Sequence, residues 1–163
     1  MDGEDMKLII TKILFTLSFL FIIGAGTNEA RCYNIKKVDK ATNGEVAYVY
    51  VPNTADAGHE YFKRYFFPQA NKKAIIIDER YNGGGQLADY YIDILKKPEQ
   101  AYWNFRYGKD LKSPSASIQG PKVMITDETA GSGGDYLPWM FRKCKLGTIV
   151  GKRTWGGLVG VLG

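Results

Sequence analysis

The sequence predicts an α/β domain built on a largely parallel sheet, and two observations carry this. Short apolar runs at Val46–Val51, Ala74–Asp78, Val123–Ile125 and Thr148–Gly151 alternate with helical patterns. That order is expected when crossover helices cover a parallel sheet. Two of the runs are followed by glycine-rich turns, Gly83-Gly84-Gly85 and Gly131-Ser132-Gly133-Gly134. Ligands in such sheets sit beyond the carboxyl ends of strands, so the two turns are expected side by side in space.

Val46 to Val51 is β-branched and aromatic, bounded by Gly44 and Pro52, and reads as a strand. Asn53 to Gly58 reads as a loop. His59 to Phe67 reads as a helix, with Tyr61, Phe62, Tyr65 and Phe66 on one face. Ala74 to Asp78 reads as a strand buried on both sides. Arg80 to Gly85 is a tight turn, and Leu87 to Leu95 an amphipathic helix. Ala101 to Gln119 is aromatic, polar and loop-like. Val123 to Ile125 is the next strand and Tyr136 to Lys145 the next helix, with Pro138 in its first turn, where proline is tolerated. Thr148 to Gly151 is the last clear strand, and Leu158 to Val161 is strand-like.

The bulk properties narrow the function classes. A chain of 163 residues, 45% hydrophobic, suits one domain with a real core. The net charge of +5 comes from scattered basic residues, which argues against nucleic acid as the partner. Arg142, Lys143 and Lys145 fall late in a helix and complement its dipole. Two cysteines cannot make a disulfide framework. Cys32 and Cys144 can pair once, or Cys144 is a small apolar residue on its helix. Neither has metal-ligand spacing to His59, the only histidine, so no metal is expected. The glycine turns lack the G-x-G-x-x-G and G-K-[ST] spacings, so no nucleotide cofactor is expected either.

The N-terminus differs from the rest. Lys7 and Lys12 precede an apolar stretch from Ile13 to Ile23, which ends in Gly24-Ala25-Gly26. Residues 1–27 therefore read as a secretory signal peptide, with Met6 the more conventional start, or as an uncleaved membrane anchor contacting lipid through residues 8–26. Either places the protein outside the cytoplasm, secreted, periplasmic or membrane-anchored. Residues 28–43 are polar and irregular and read as a linker, and 44–163 as the folded core.

Ser132 has two readings. On a strand–turn–helix, a serine exposes its hydroxyl while glycines let backbone N–H groups approach a substrate oxygen. Alternatively it caps the following helix, a role for which Asp135 competes. His59, followed by Tyr61 and Phe62, reads as a residue lining a helix rather than a base.

Several stretches together resemble the tricorn-like branch of the tail-specific serine protease superfamily. They are Ala47–Pro52, Ile77–Gly85, Gly120–Ile125, Ala130–Asp135 and Gly151–Gly157. The resemblance implies a serine peptidase on a crotonase/ClpP-like β-β-α core that lacks its C-terminal part in this chain. Ser132 matches the nucleophile, Gly85 matches one oxyanion-hole residue, and Gly133, where archaeal members carry Asp, supplies the second N–H. Members with a Ser–Lys dyad carry lysine at the position of Gly157, so the resemblance favours the type with a histidine base. The matching upstream histidine region and downstream glutamate fall outside this sequence. Trp103 matches an acidic residue that reads a basic P1 side chain, so it becomes a candidate P1 contact without that preference. Peptides or unfolded proteins are the implied substrates, and homo-oligomers the implied assembly.

Two rival readings remain at this level. One is a peptide-binding or assembly module that kept the core and lost the base. The other is a membrane-anchored accessory protein, judged from residues 8–26 alone.

Overall fold

The structure, a computed structural model, describes residues 4–5, 8–13 and 28–158. Most of the apolar N-terminal stretch and of the strand-like run after Leu158 lies outside the described residues. The helices are α1 (Asn28–Ala41), α2 (Asp56–Phe66), α3 (Ala88–Leu95) and α4 (Gly133–Lys143). The strands are β1 (Val46–Tyr50), β2 (Ala74–Asp78), β3 (Ala101–Trp103), β4 (Leu111–Ser113), β5 (Lys122–Thr126) and β6 (Thr148–Gly151).

Four strands form one parallel sheet in the order β1-β2-β5-β6. Alternation along each strand divides the core into two layers. Ala47, Val49, Ile75, Ile77 and Met124 face one side and pack with Phe62 and Phe66 of α2, Tyr91 and Ile92 of α3, and Leu137 and Phe141 of α4. Val46, Tyr48, Ile76, Val123 and Ile125 face the other side and pack with Val38 of α1 and with Ile9 and Ile13. Burial on both faces is why these strands read as continuous apolar runs.

Three local expectations are corrected. Residues 28–41 form a helix rather than an irregular linker. Its apolar anchors are few, Ile35 and Val38, so tertiary packing on β1 rather than composition makes it helical. The segment 101–119 contains an antiparallel ribbon, Ala101 opposite Ser113 and Trp103 opposite Leu111. Its strands are short and exposed, so no burial pattern marks them. Helix α4 begins at Gly133, which moves Pro138 into its second turn, where it has no N–H for the Gly134 carbonyl. Cys144 caps the end of α4 as a free, half-buried thiol against the core.

One polar network lies inside the second layer. Asp78, fully buried at the end of β2, receives Tyr48 Oη at 2.6 Å, Arg80 Nε at 2.9 Å and Arg80 Nη2 at 2.6 Å. Asn34 Nδ2 of α1 donates to Tyr48 Oη at 3.2 Å. Burial, and then the Asp78 carboxylate, push the Tyr48 phenol well above its ordinary range, so it remains a donor. A paired charge of this kind is costly to break, because the remaining partner stays buried. Asp78→Ala is expected to cost about 3–5 kcal/mol in urea denaturation. A loss within the error of the measurement would show that the network is not needed for folding.

Candidate active site

Ser132 stands at the turn between β5 and α4 with φ 56° and ψ −116°. Positive φ is rare for a serine and costs about 1–3 kcal/mol, so the surrounding structure must impose it. Asp127 does part of this. Its carboxylate accepts Thr129 N–H at 3.1 Å, Ala130 N–H at 3.0 Å and Thr129 Oγ1 at 2.8 Å. It also accepts Tyr81 N–H at 3.1 Å from the other glycine turn. Downstream, Asp135 N–H donates to the Ser132 carbonyl at 2.9 Å and Tyr136 N–H at 3.1 Å. Ser132 occupies the N-cap position of α4, yet its hydroxyl makes no capping bond and the residue is exposed. Of its two readings, the capping one is not met by a hydrogen bond from this hydroxyl.

The second turn is held against the first by Asn82, which is fully buried. Its Oδ1 accepts Gly84 N–H at 2.9 Å, and its carbonyl accepts Gly131 N–H at 3.1 Å. Contact between the turns is close enough to require glycine. At Gly84, with φ +89°, a Cβ would stand 2.7 Å from Ser132 Cβ. At Gly133 a Cβ would stand 2.0 Å from Thr54 Oγ1 and 2.8 Å from the Gly85 nitrogen. The turns expected to converge do so. Among the described residues, neither Gly85 N–H nor Gly133 N–H donates to another protein group.

A third segment, the loop after β6, closes on the same place. Trp155 N–H donates to the Ala130 carbonyl at 2.8 Å. Asp135 Oδ1 accepts Gly156 N–H at 2.7 Å and Oδ2 accepts Gly157 N–H at 2.9 Å. The Trp155 ring lies over Gly157, where a Cβ would meet Cζ3 at 2.0 Å. A side chain at 157 has no room unless that ring moves.

Buried acid surrounds these contacts. Glu79 is fully buried and its Oε1 has no partner. Burial pushes its carboxyl well above the usual range; a contact from Asn82 opposes this, and the carboxylates of Asp127, Asp78 and Asp135 add to it. Asp127, Asp135, Asn82 and Thr54 were not singled out for these roles by sequence reasoning. An Asp beside Gly-Gly hints at an amide acceptor, but its partners lie 21 and 22 residues away.

The other sequence candidates lie elsewhere. Trp103 sits on the exposed β3–β4 ribbon, 64% exposed. His59 lies on α2 with its ring 4.7 Å from that of Tyr90 in α3, and its buried Nδ1 has no hydrogen-bond partner among the described residues.

Comparison with known proteins agrees with this arrangement. Residues 45–162 match the family described as Peptidase family S41. The chain is 38% identical over 128 residues to the Tricorn protease of Thermoplasma volcanium, covering 78% of this chain and 12% of that protein. It is 35% identical over 128 residues to the Tricorn protease of Thermoplasma acidophilum, again 78% and 12%. A crystal structure of the tricorn protease superposes with TM-score 0.77 at 35% identity, over 80% of this chain and 13% of that one. The photosystem II D1 C-terminal processing protease shares the fold, with TM-score 0.52 at 19% identity, over 69% of this chain and 31% of that one. The crotonase-like α/β expectation is met by these superpositions.

Two measurements test the geometry. Gly84→Ala is expected to cost about 2 kcal/mol or more, from positive φ and the collision with Ser132. Gly83→Ala, in open space, is expected to stay within about 0.5 kcal/mol. Equal losses at the two positions would contradict the turn-to-turn contact.

For Glu79, the folded state holds a proton that the unfolded chain releases near the ordinary value of about 4. Its stabilising contribution is complete below that value and is lost as pH rises through the raised one. Glu79→Gln, neutral throughout, is expected to gain stability over the parent between about pH 5 and pH 8 in urea titrations. A difference that does not change with pH would exclude a buried neutral Glu79.

Proposed function

The chain belongs to peptidase family S41, and we propose that it carries the nucleophile and oxyanion hole of a serine-type peptidase. The observation that carries this is the exposed Ser132 at positive φ beside two backbone N–H groups without protein acceptors. In this reading Ser132 Oγ attacks the carbonyl carbon of a peptide bond while its proton passes to a base. The carbonyl oxygen gains negative charge and is held by the N–H groups of Gly85 and Gly133. The C–N bond then breaks, the amine leaves with the proton, and water hydrolyses the acyl-serine.

The base is proposed to be a histidine that lies outside this 163-residue sequence. The Trp155 ring over Gly157 supports this, since it occupies the space from which a lysine at that position would act. The chain spans 12% of the length of the tricorn proteases it matches. Peptides or unfolded proteins are the proposed substrates, and a homo-oligomer the proposed assembly. Trp103, an exposed neutral aromatic, is proposed as a P1 contact that accepts apolar rather than basic side chains.

Residues 1–27 are proposed to direct export or membrane attachment. The supporting feature is the uncharged apolar stretch after Lys12. Among the described residues no helix is long and apolar enough to cross a membrane.

A fluorophosphonate probe tests the nucleophile. In the full natural protein that carries this chain, Ser132→Ala is expected to abolish labelling and lower kcat/KM by about 10³-fold or more. Labelling that survives the substitution would place the nucleophile elsewhere.

A further inference from the structure

Thr54 lies in the segment after β1, where it meets both glycine turns. Its backbone is fully used: the N–H donates to the Gly84 carbonyl at 2.8 Å, and the carbonyl accepts Leu87 N–H at 2.7 Å. Its side chain is fully buried, and Oγ1 has no hydrogen-bond partner. A buried hydroxyl without a partner weakens the fold, so valine would serve better at a purely structural position.

The unpartnered oxygen is the atom that packs against Gly133. A Cβ on Gly133 would stand 2.0 Å from Thr54 Oγ1, with the Gly85 oxygen and nitrogen 2.3 and 2.8 Å from the same point. A Cβ on Gly85 would stand 2.4 Å from the Thr54 carbonyl carbon and oxygen. Thr54 therefore touches both residues whose N–H groups form the proposed oxyanion hole. A hydroxyl oxygen is smaller than a methyl group, and so permits an approach of Gly133 to Gly85 that valine would prevent.

We propose that Thr54 is a positioning residue that sets the separation of the Gly85 and Gly133 amide donors, an inference that rests on Ser132 being the nucleophile. It acts through those two glycines and does not touch substrate. Its loss weakens stabilisation of the developing oxyanion and leaves ground-state binding alone.

The test uses the full natural protein and a fluorogenic peptide, with a peptide aldehyde whose Ser132 hemiacetal places its oxygen in the hole. Thr54→Val is expected to lower kcat about tenfold with KM unchanged, as a sub-ångström misplacement of a donor would. Aldehyde affinity should fall by a similar factor. Thr54→Ser keeps the oxygen and should restore kcat. Should the valine variant fail to fold, Thr54→Ala removes the spacer without added bulk and should show the same kcat loss.

Parent-level kcat in the folded valine or alanine variant would overturn the inference. A serine variant as slow as the valine variant would overturn it too, because the γ-methyl would then be the group that matters. Parent turnover that survives Ser132→Ala would overturn the nucleophile assignment, and this inference with it.

Discussion

When β2 pairs in parallel with β5, Ile77 lies opposite Met124 and Asp78 opposite Ile125, so both strands end at one height. Everything at the site depends on that register. The chain leaving β2 must turn within the width of a strand spacing from the chain leaving β5, about 4.8 Å. Two backbones this close leave no volume for side chains between them. The glycines at 84 and 133 are consequences of the pairing as much as of any chemistry. A slip of one residue would also exchange the two faces of β5 and expose a core layer.

Tight turns leave backbone N–H groups without partners, and buried ones must be satisfied. Three polar residues do this here, Asp127 and Asp135 through their carboxylates and Asn82 through Oδ1 to Gly84 and its backbone carbonyl to Gly131. Asn82 joins its own turn to Gly131, Asp127 joins the serine turn to Tyr81, and Asp135 joins α4 to Gly156 and Gly157. The amides of Gly85 and Gly133 are among those of the two turns that have no acceptor among the described residues. Concentrating carboxylates here carries an electrostatic cost. Burial and these carboxylates push the Glu79 carboxyl well above its usual range.

Much of this was legible in the sequence. β1, β2 and β5 are marked by apolar runs, since burial on two faces removes any need for alternation, and the half-buried edge strand β6 by a shorter one. The two turns are marked by glycine clusters, and the adjacency of strand ends in a parallel sheet joins them. Residues 28–41 were not legible, because a mostly polar helix with two apolar anchors takes its stability from the sheet it covers. The ribbon at 101–113 escaped for the opposite reason: its aromatic residues are exposed, and strand signals in sequence are burial signals. Asn82, Asp127, Asp135 and Thr54 each also meet a partner across a long sequence separation, which nothing local to the residue encodes.

The geometry also separates two tasks that a serine peptidase must combine. Holding an oxyanion requires donors fixed before the reaction, and fixing them requires a rigid, crowded backbone. A proton acceptor instead needs room for a side chain to meet the serine hydroxyl. Around Ser132 the crowding is on the side of Gly84, Gly133 and Trp155, while Ser132 itself is exposed. Trp155 lies over Gly157 on that crowded side, and the Ser132 side chain faces away from it into the open. Ser132 at positive φ and the amides of Gly85 and Gly133, without acceptors among the described residues, stand together where the two turns meet.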